Sequence, residues 1–226
     1  MIKILYLVII FFSFSSCLFE TKEQTLPNTF ILSLNITGSG SDITDGTDTL
    51  SVISNKFFID GLILKRNNKE DVQYENTEIV ASYINLLSDA DQQIAGGDID
   101  GGVYTGINLS FEHPDEDNAN FNDSDLTIRD NNGELVESYS LVINGVYNSK
   151  AFKFKTNLES IANFTFDTEL TLPNYNSGLF VTLFSDTEYW FKDSNTGEIL
   201  NPVHDEEQIF NNIMNSFQII SRGVVR

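Results

Sequence analysis

Cysteine is all but missing from this chain. The 226 residues hold a single one, Cys17, which excludes an intramolecular disulfide and a CxxC redox centre and leaves the fold to stand on its apolar core. Histidine is nearly as scarce. His113 and His204 lie far apart in acidic segments, and neither has a serine in a recognisable nucleophile elbow. GxSxG, HExxH, P-loop and GxGxxG patterns are absent, which removes the commonest motif-bearing enzyme classes. Basic residues are few: 13 Lys and Arg face 33 Asp and Glu, for a formal charge of −20. Such a balance argues against nucleic acid as a partner and against adhesion of the protein surface to anionic headgroups. Beyond the first dozen residues no apolar run approaches the ~20 residues that a membrane-spanning helix needs.

What is present begins at the N-terminus. Lys3, then the apolar Ile4–Phe12, then Ser13–Ser16 follow the order of a secretory signal: positive, apolar, small. Cys17 comes directly after, in "FSSCL". This stretch resembles the lipobox of bacterial lipoproteins, with Phe14 standing where that family usually has Leu, Val or Ile. The resemblance implies cleavage before Cys17 and attachment of a diacylglyceryl group to its thiol, with further acyl chains such as palmitate. Several chains hold a protein at a bilayer durably, at ~0.8 kcal/mol per buried methylene. Leu18, in place of an inner-membrane retention Asp, implies the outer membrane or cell surface of a Gram-negative bacterium. The expected organisation is a signal peptide over 1–16, a lipidated tether over 17–28, polar and carrying Pro27, and one domain over 29–226.

The domain alternates with period two. Phe30, Leu32, Leu34 and Ile36 share one face; so do Val103, Ile107, Leu109 and Phe111, and again Phe164, Phe166, Leu170 and Leu172. Phe152 and Phe154 lie opposite Lys153 and Lys155. This is the pattern of half-buried antiparallel strands. Asn132-Gly133 and Gly197 supply hairpin turns. Asn144-Gly145 reads as a bulge, with the turn at Asn148-Ser149. Residues 78–94 fit helix or strand, and their β-branched content favours strand. One helix is expected over about 205–220, capped by Asp205 with Gln208 and striped by Ile209, Ile213, Phe217 and Ile220. The fold class is therefore all-β, an antiparallel β-sandwich with one C-terminal α-helix. Eighteen phenylalanines suffice for its core, at roughly 1.5–3 kcal/mol for each ring fully buried.

Candidate sites are carboxylates and aromatics. Asp98 and Asp100 in "GGDIDGG", and Asp115, Asp117, Asp123 and Asp125 in "DEDNANFNDSD", offer the oxygens that a Ca²⁺ ion takes six to eight of. The spacing matches no EF-hand, and the same composition serves solvated loops equally. Tyr189, Trp190 and Phe191 are consecutive, so at least one must face away from a strand's buried side, where a Tyr or Trp stacks on a sugar or peptide. "DTL" at Asp48–Leu50 resembles an O-glycosylation acceptor of exported bacterial proteins.

The C-terminal third resembles a set of Bacteroidota-type bacterial surface lipoproteins. The shared features are Trp190-Phe191, Gly197, Asn201-Pro202, Asn212-Ile213 with Ser216-Phe217, and an upstream Gly102-Tyr104-Ile107 strand. The likeness implies a lipid-anchored β-sandwich and supplies no catalytic residues. The expected function is a non-enzymatic module, membrane-bound through its lipid, that binds a glycan or protein partner. The alternatives are a pilin- or adhesin-like assembly subunit, though no detached strand is read after Ile220, and a carboxylate-dependent hydrolase.

Overall fold

The computed structural model describes residues 26–38, 40–67, 69–84, 91–118 and 121–225. The signal peptide, Cys17 and the tether up to residue 25 lie outside the described residues. Thirteen strands and one α-helix follow in order: β1 Asn28–Thr37, β2 Asp42–Thr44, β3 Thr49–Arg66, β4 Val72–Ile84, β5 Gln92–Ile99, β6 Gly102–Phe111, β7 Thr127–Arg129, β8 Leu135–Ser138, β9 Leu141–Tyr147, β10 Lys150–Thr156, β11 Ser160–Leu172, β12 Gly178–Asp186, α1 Glu206–Ser216 and β13 Gln218–Val225. A small sheet has the order β13-β12-β1-β5, and a large sheet runs β10-β9-β3-β6-β11 with β2 and β4 on β3. One hydrophobic core joins the inner faces of both. The expected all-β sandwich with a C-terminal helix is the fold, although β1 and β12 pair in parallel where antiparallel strands alone were expected.

The 18-residue β3 organises the large sheet. One of its sides carries β4 from Ser54 to Leu64. The other carries β9 from Leu50 to Phe57 and then β6 from Ile59 to Arg66. The sheet therefore forks at Phe57-Phe58. Period two would bury one of these rings and expose the other, yet both are fully buried. Phe57 turns into the main core, edge-on to Phe111, Trp190 and Phe217 at centroid distances of 5.8–5.9 Å. Phe58 turns outward and is covered by Leu126 and Phe121.

Turn chemistry matches expectation at several points. Asn148 and Ser149 both take positive φ, 48° and 64°, the conformation of a two-residue hairpin between β9 and β10. Gly133 and Gly197 take positive φ as well. The bulge expected at Asn144-Gly145 falls instead on the strand opposite them, where Ile53 of β3 is the extra residue.

Four expectations are corrected. Val103 does not share the buried face of β6; both neighbouring strands skip Thr105, and that bulge turns Tyr104 into the core in its place. The helix stops at Ser216, where Ser216 Oγ donates to the Ile213 carbonyl at 2.7 Å. The following residues leave the helical stripe and pair with β12 as β13, so Ile220 is exposed and a strand exists where none was read. Asp205 caps nothing with its side chain; its carboxylate accepts from the Asn201 amide, and Gln208 donates to Asp193. The domain begins before the expected residue 29, because the Leu26 amide donates to Asn176 Oδ1 at 2.7 Å and Asn28 already belongs to β1.

Truncating Phe57 to alanine removes a ring from the fork with no neighbour free to refill the space. Urea unfolding of Phe57→Ala is expected to give a loss of about 3–5 kcal/mol. A loss under 1 kcal/mol would show that the fork does not depend on that ring.

Candidate functional site

The described residues of 112–140 leave the large sheet between β6 and β9 and fold back on its outer face as a lobe, with β7 and β8 as its own hairpin. The lobe is held in three ways. Its apolar residues Leu126, Phe121 and Tyr139 pack on Phe58 and Val142. Its exit is pinned where Phe58 N–H donates to the Ser140 carbonyl, and Ser140 Oγ to that of Leu158. Its acidic stretch meets two lysines of the sandwich.

That contact decides the fate of the candidate metal ligands. Lys56 Nζ lies 3.0 Å from both Asp123 oxygens and 2.9 Å from Asp125. Lys153 Nζ takes the other Asp125 oxygen at 2.7 Å. Hydrogen bonds from Lys153 and then Lys56 hold the Asp125 carboxyl down at about 2. Burial pulls the Lys56 ammonium downward, but its bonds to Asp125 and Asp123 outweigh that and leave it raised. Asp123 also accepts from the Asp125 and Leu126 amides. These two carboxylates thus neutralise lysines. Asp115 is turned to the Asp117 amide at 2.8 Å, and both residues are exposed. Asp98 sits on β5 beside Thr29 of β1, and the exposed Asp100 carboxylate lies 3.9 Å from Arg66. Among the described residues no three His, Cys, Asp or Glu side chains are placed to hold a metal ion.

The aromatic candidates separate. Tyr189 is 62% exposed and remains free to stack. Trp190 is corrected: it is fully buried, with Nε1 donating to Ser185 Oγ at 2.8 Å and Ser216 Oγ at 3.1 Å. Those two serines anchor it from β12 and the end of α1, so it stacks on no ligand from solution. A short 3₁₀ turn, Thr187–Tyr189, ends on the first ring of the triplet, with Trp190 as its C-cap, and replaces the strand whose alternation the reading assumed. Thr49 of "DTL" is exposed at the start of β3.

Two features escaped the sequence. His113, read as isolated from any serine, has Nδ1 2.8 Å from Ser138 Oγ and Nε2 3.3 Å from Glu159. The same Nδ1 lies 3.2 Å from the Pro114 carbonyl. The trio braces the lobe against β11. Its members lie 25 and 46 residues from His113 in sequence, which no local motif could reveal. The second feature is a groove of about 960 Å³ on the outer face of the small sheet, lined by Leu26, Pro27, Ile31, Phe180 and Val225 among others. Period-two reading assigns that face to solvent.

The chain matches no protein-family model, no curated protein and no solved structure.

The lysine clamp makes the lobe acid-sensitive. Because the folded Asp125 pKa is depressed below 3.8, its contribution is complete above about pH 4 and is lost as pH falls toward 2. The melting-temperature gap between the native protein and Asp125→Asn is expected to be widest above about pH 4 and to close toward pH 2. A gap that stays constant across that range would rule out the clamp.

Proposed function

We propose that the protein is a lipid-anchored module of the outer membrane or cell surface, without enzymatic activity of its own, that presents the 112–140 lobe to a partner. The observation that carries the reading is the lobe's build. It is locked to the sandwich by its own small core and by the Lys56–Asp123–Asp125–Lys153 cluster, yet Asp115, Glu116, Asp117, Asp130, Glu134 and Glu137 stay exposed. A rigid surface with many uncompensated carboxylates, and Arg129 as its only cation, suits a partner bearing positive charge. The lipobox-like Cys17 supports the anchored half of the reading. Among the described residues no helix is long and apolar enough to cross a membrane.

A second reading, a subunit of a surface assembly, draws on β13, an edge strand paired on one side with β12. Edge pairing between copies would use its other side. Light scattering of the detergent-solubilised native protein separates the two readings. A single-chain mass at high concentration is expected for the presenting module, and concentration-dependent growth for the subunit.

Anchoring is tested by feeding cells an alkyne-bearing fatty acid. Native protein is expected to carry the label and fractionate with membranes, and Cys17→Ser to lose both. Retention of membrane association by an unlabelled Cys17→Ser chain would defeat the anchored reading. For the lobe, a photo-crosslinking residue at Glu116 is expected to give a discrete adduct in intact cells, abolished when Asp115, Glu116's neighbour Asp117 and Glu134 are changed to lysine. An adduct unaffected by that reversal would remove charge as the basis of recognition.

A further inference from the structure

We infer that the outer face of the small sheet is the membrane-contact face, and that the groove on it takes an acyl chain of a lipid in the leaflet that carries the anchor. The inference rests on the proposed lipidation of Cys17 and adds where the domain sits once anchored.

Three independent observations converge on this face. The first is charge. The chain carries 33 acidic and 13 basic residues, but none of the residues lining the groove (Leu26, Pro27, Thr29, Ile31, Ser177 and Phe180 among them) is charged. Exposed Asp98, opposite Thr29 on β5, stands at the margin of this uncharged patch, and an acidic body held close to headgroups is repelled least through such a patch. The second is connectivity. Leu26 and Pro27 themselves form part of the groove wall, and Leu26 is clipped there in both directions, its amide donating to Asn176 Oδ1 at 2.7 Å and its carbonyl accepting from the Asn176 amide at 3.0 Å. Cys17 lies nine residues upstream, so the lipidated end can be no more than about 30 Å of extended chain from the groove. The third is opposition. The groove opens beside Ile31, on the side of β1 away from the core-facing Phe30 and Leu32. The lobe covers Phe58, on the side of β3 away from the core-facing Phe57. Groove and acidic lobe therefore occupy opposite outer faces of the sandwich.

The groove is also built to stay open. Phe180 pairs with Gly223 across β12 and β13, and a side chain at Gly223 would run into the Phe180 ring at 2.8 Å. Glycine there lets the ring lie flat over the neighbouring strand, with Ile31 on its other flank. Tyr175, 57% exposed, stands next to the Asn176 clip. A ring with an apolar body and a hydroxyl tip suits the boundary between hydrocarbon and headgroups.

The native sequence has one thiol, and lipidation consumes it as a thioether, so an engineered cysteine is the only one free to label. Full-length lipidated Tyr175→Cys, Val225→Cys and Val136→Cys proteins, each carrying a bimane, are reconstituted in phosphatidylcholine vesicles with nitroxide-bearing acyl chains. Both are exposed in the same degree as the control, at 57%, 57% and 60%, so folding is not at risk. Emission from positions 175 and 225 is expected to be largely lost, and that from 136, on the lobe, to be retained. Equal quenching at all three positions, or quenching at none, overturns the membrane-contact face while leaving the anchor intact; a groove filled by a protein partner gives the second result. Two reactive thiols per chain before labelling would instead overturn the lipidation of Cys17, and this inference with it.

Discussion

Two adjacent phenylalanines on one strand carry the architecture. Phe57 and Phe58 point to opposite faces of β3, and on an uncovered sheet Phe58 would meet water. Here β3 forks beside them, handing its partner edge from β9 to β6, and each ring finds a core of its own. Phe57 joins β3 to β6, to the turn after β12 and to the end of α1 through Phe111, Trp190 and Phe217. Such edge-on pairs add about 0.5–1.5 kcal/mol each beyond burial. Phe58 gives the 112–140 excursion something to pack on. Without it the lobe would be left with the Ser140 pin, Val142 and the lysine contacts to hold it.

Charge then sorts the surface. Lys56 and Lys153, two of the few cations, are placed where the acidic lobe meets the large sheet. They neutralise Asp123 and Asp125 and leave the outer rim of the lobe acidic. The groove on the small sheet's outer face follows the opposite rule, lined by uncharged residues and bordered by the Leu26–Asn176 clip, with Asp98 at its margin. A body so polarised has two unlike faces separated by one core.

Much of the fold was legible from the residues. Alternation in β1, β10 and β11, and the positive-φ turns at Gly133, Gly197 and Asn148-Ser149, are local matters, and local sterics decided them. The failures share a cause. Phe217 and Ile220 continue the helical stripe of Ile209 and Ile213, and only the open edge of β12 draws Ile220 into a strand. Trp190 looked like half of a surface pair, until Ser185 and Ser216, brought together from distant segments, bonded its indole. The six candidate acids formed a plausible ligand set by composition. Lys56 and Lys153 answered two of them from 67 and 28 residues away.

The sequence by itself determined the chemistry available: one thiol after an apolar N-terminal run, an excess of carboxylates, and an alternating core rich in phenylalanine. Those follow from composition and from the two-residue repeat of an extended backbone, which need no partner. Tertiary structure alone decided which carboxylates meet lysines, which aromatic rings see water, and which residues gather into the uncharged groove on the small sheet. Each of these depends on strands far apart in the chain becoming neighbours, and pairing of that kind is set by the core they jointly bury rather than by any short stretch of residues.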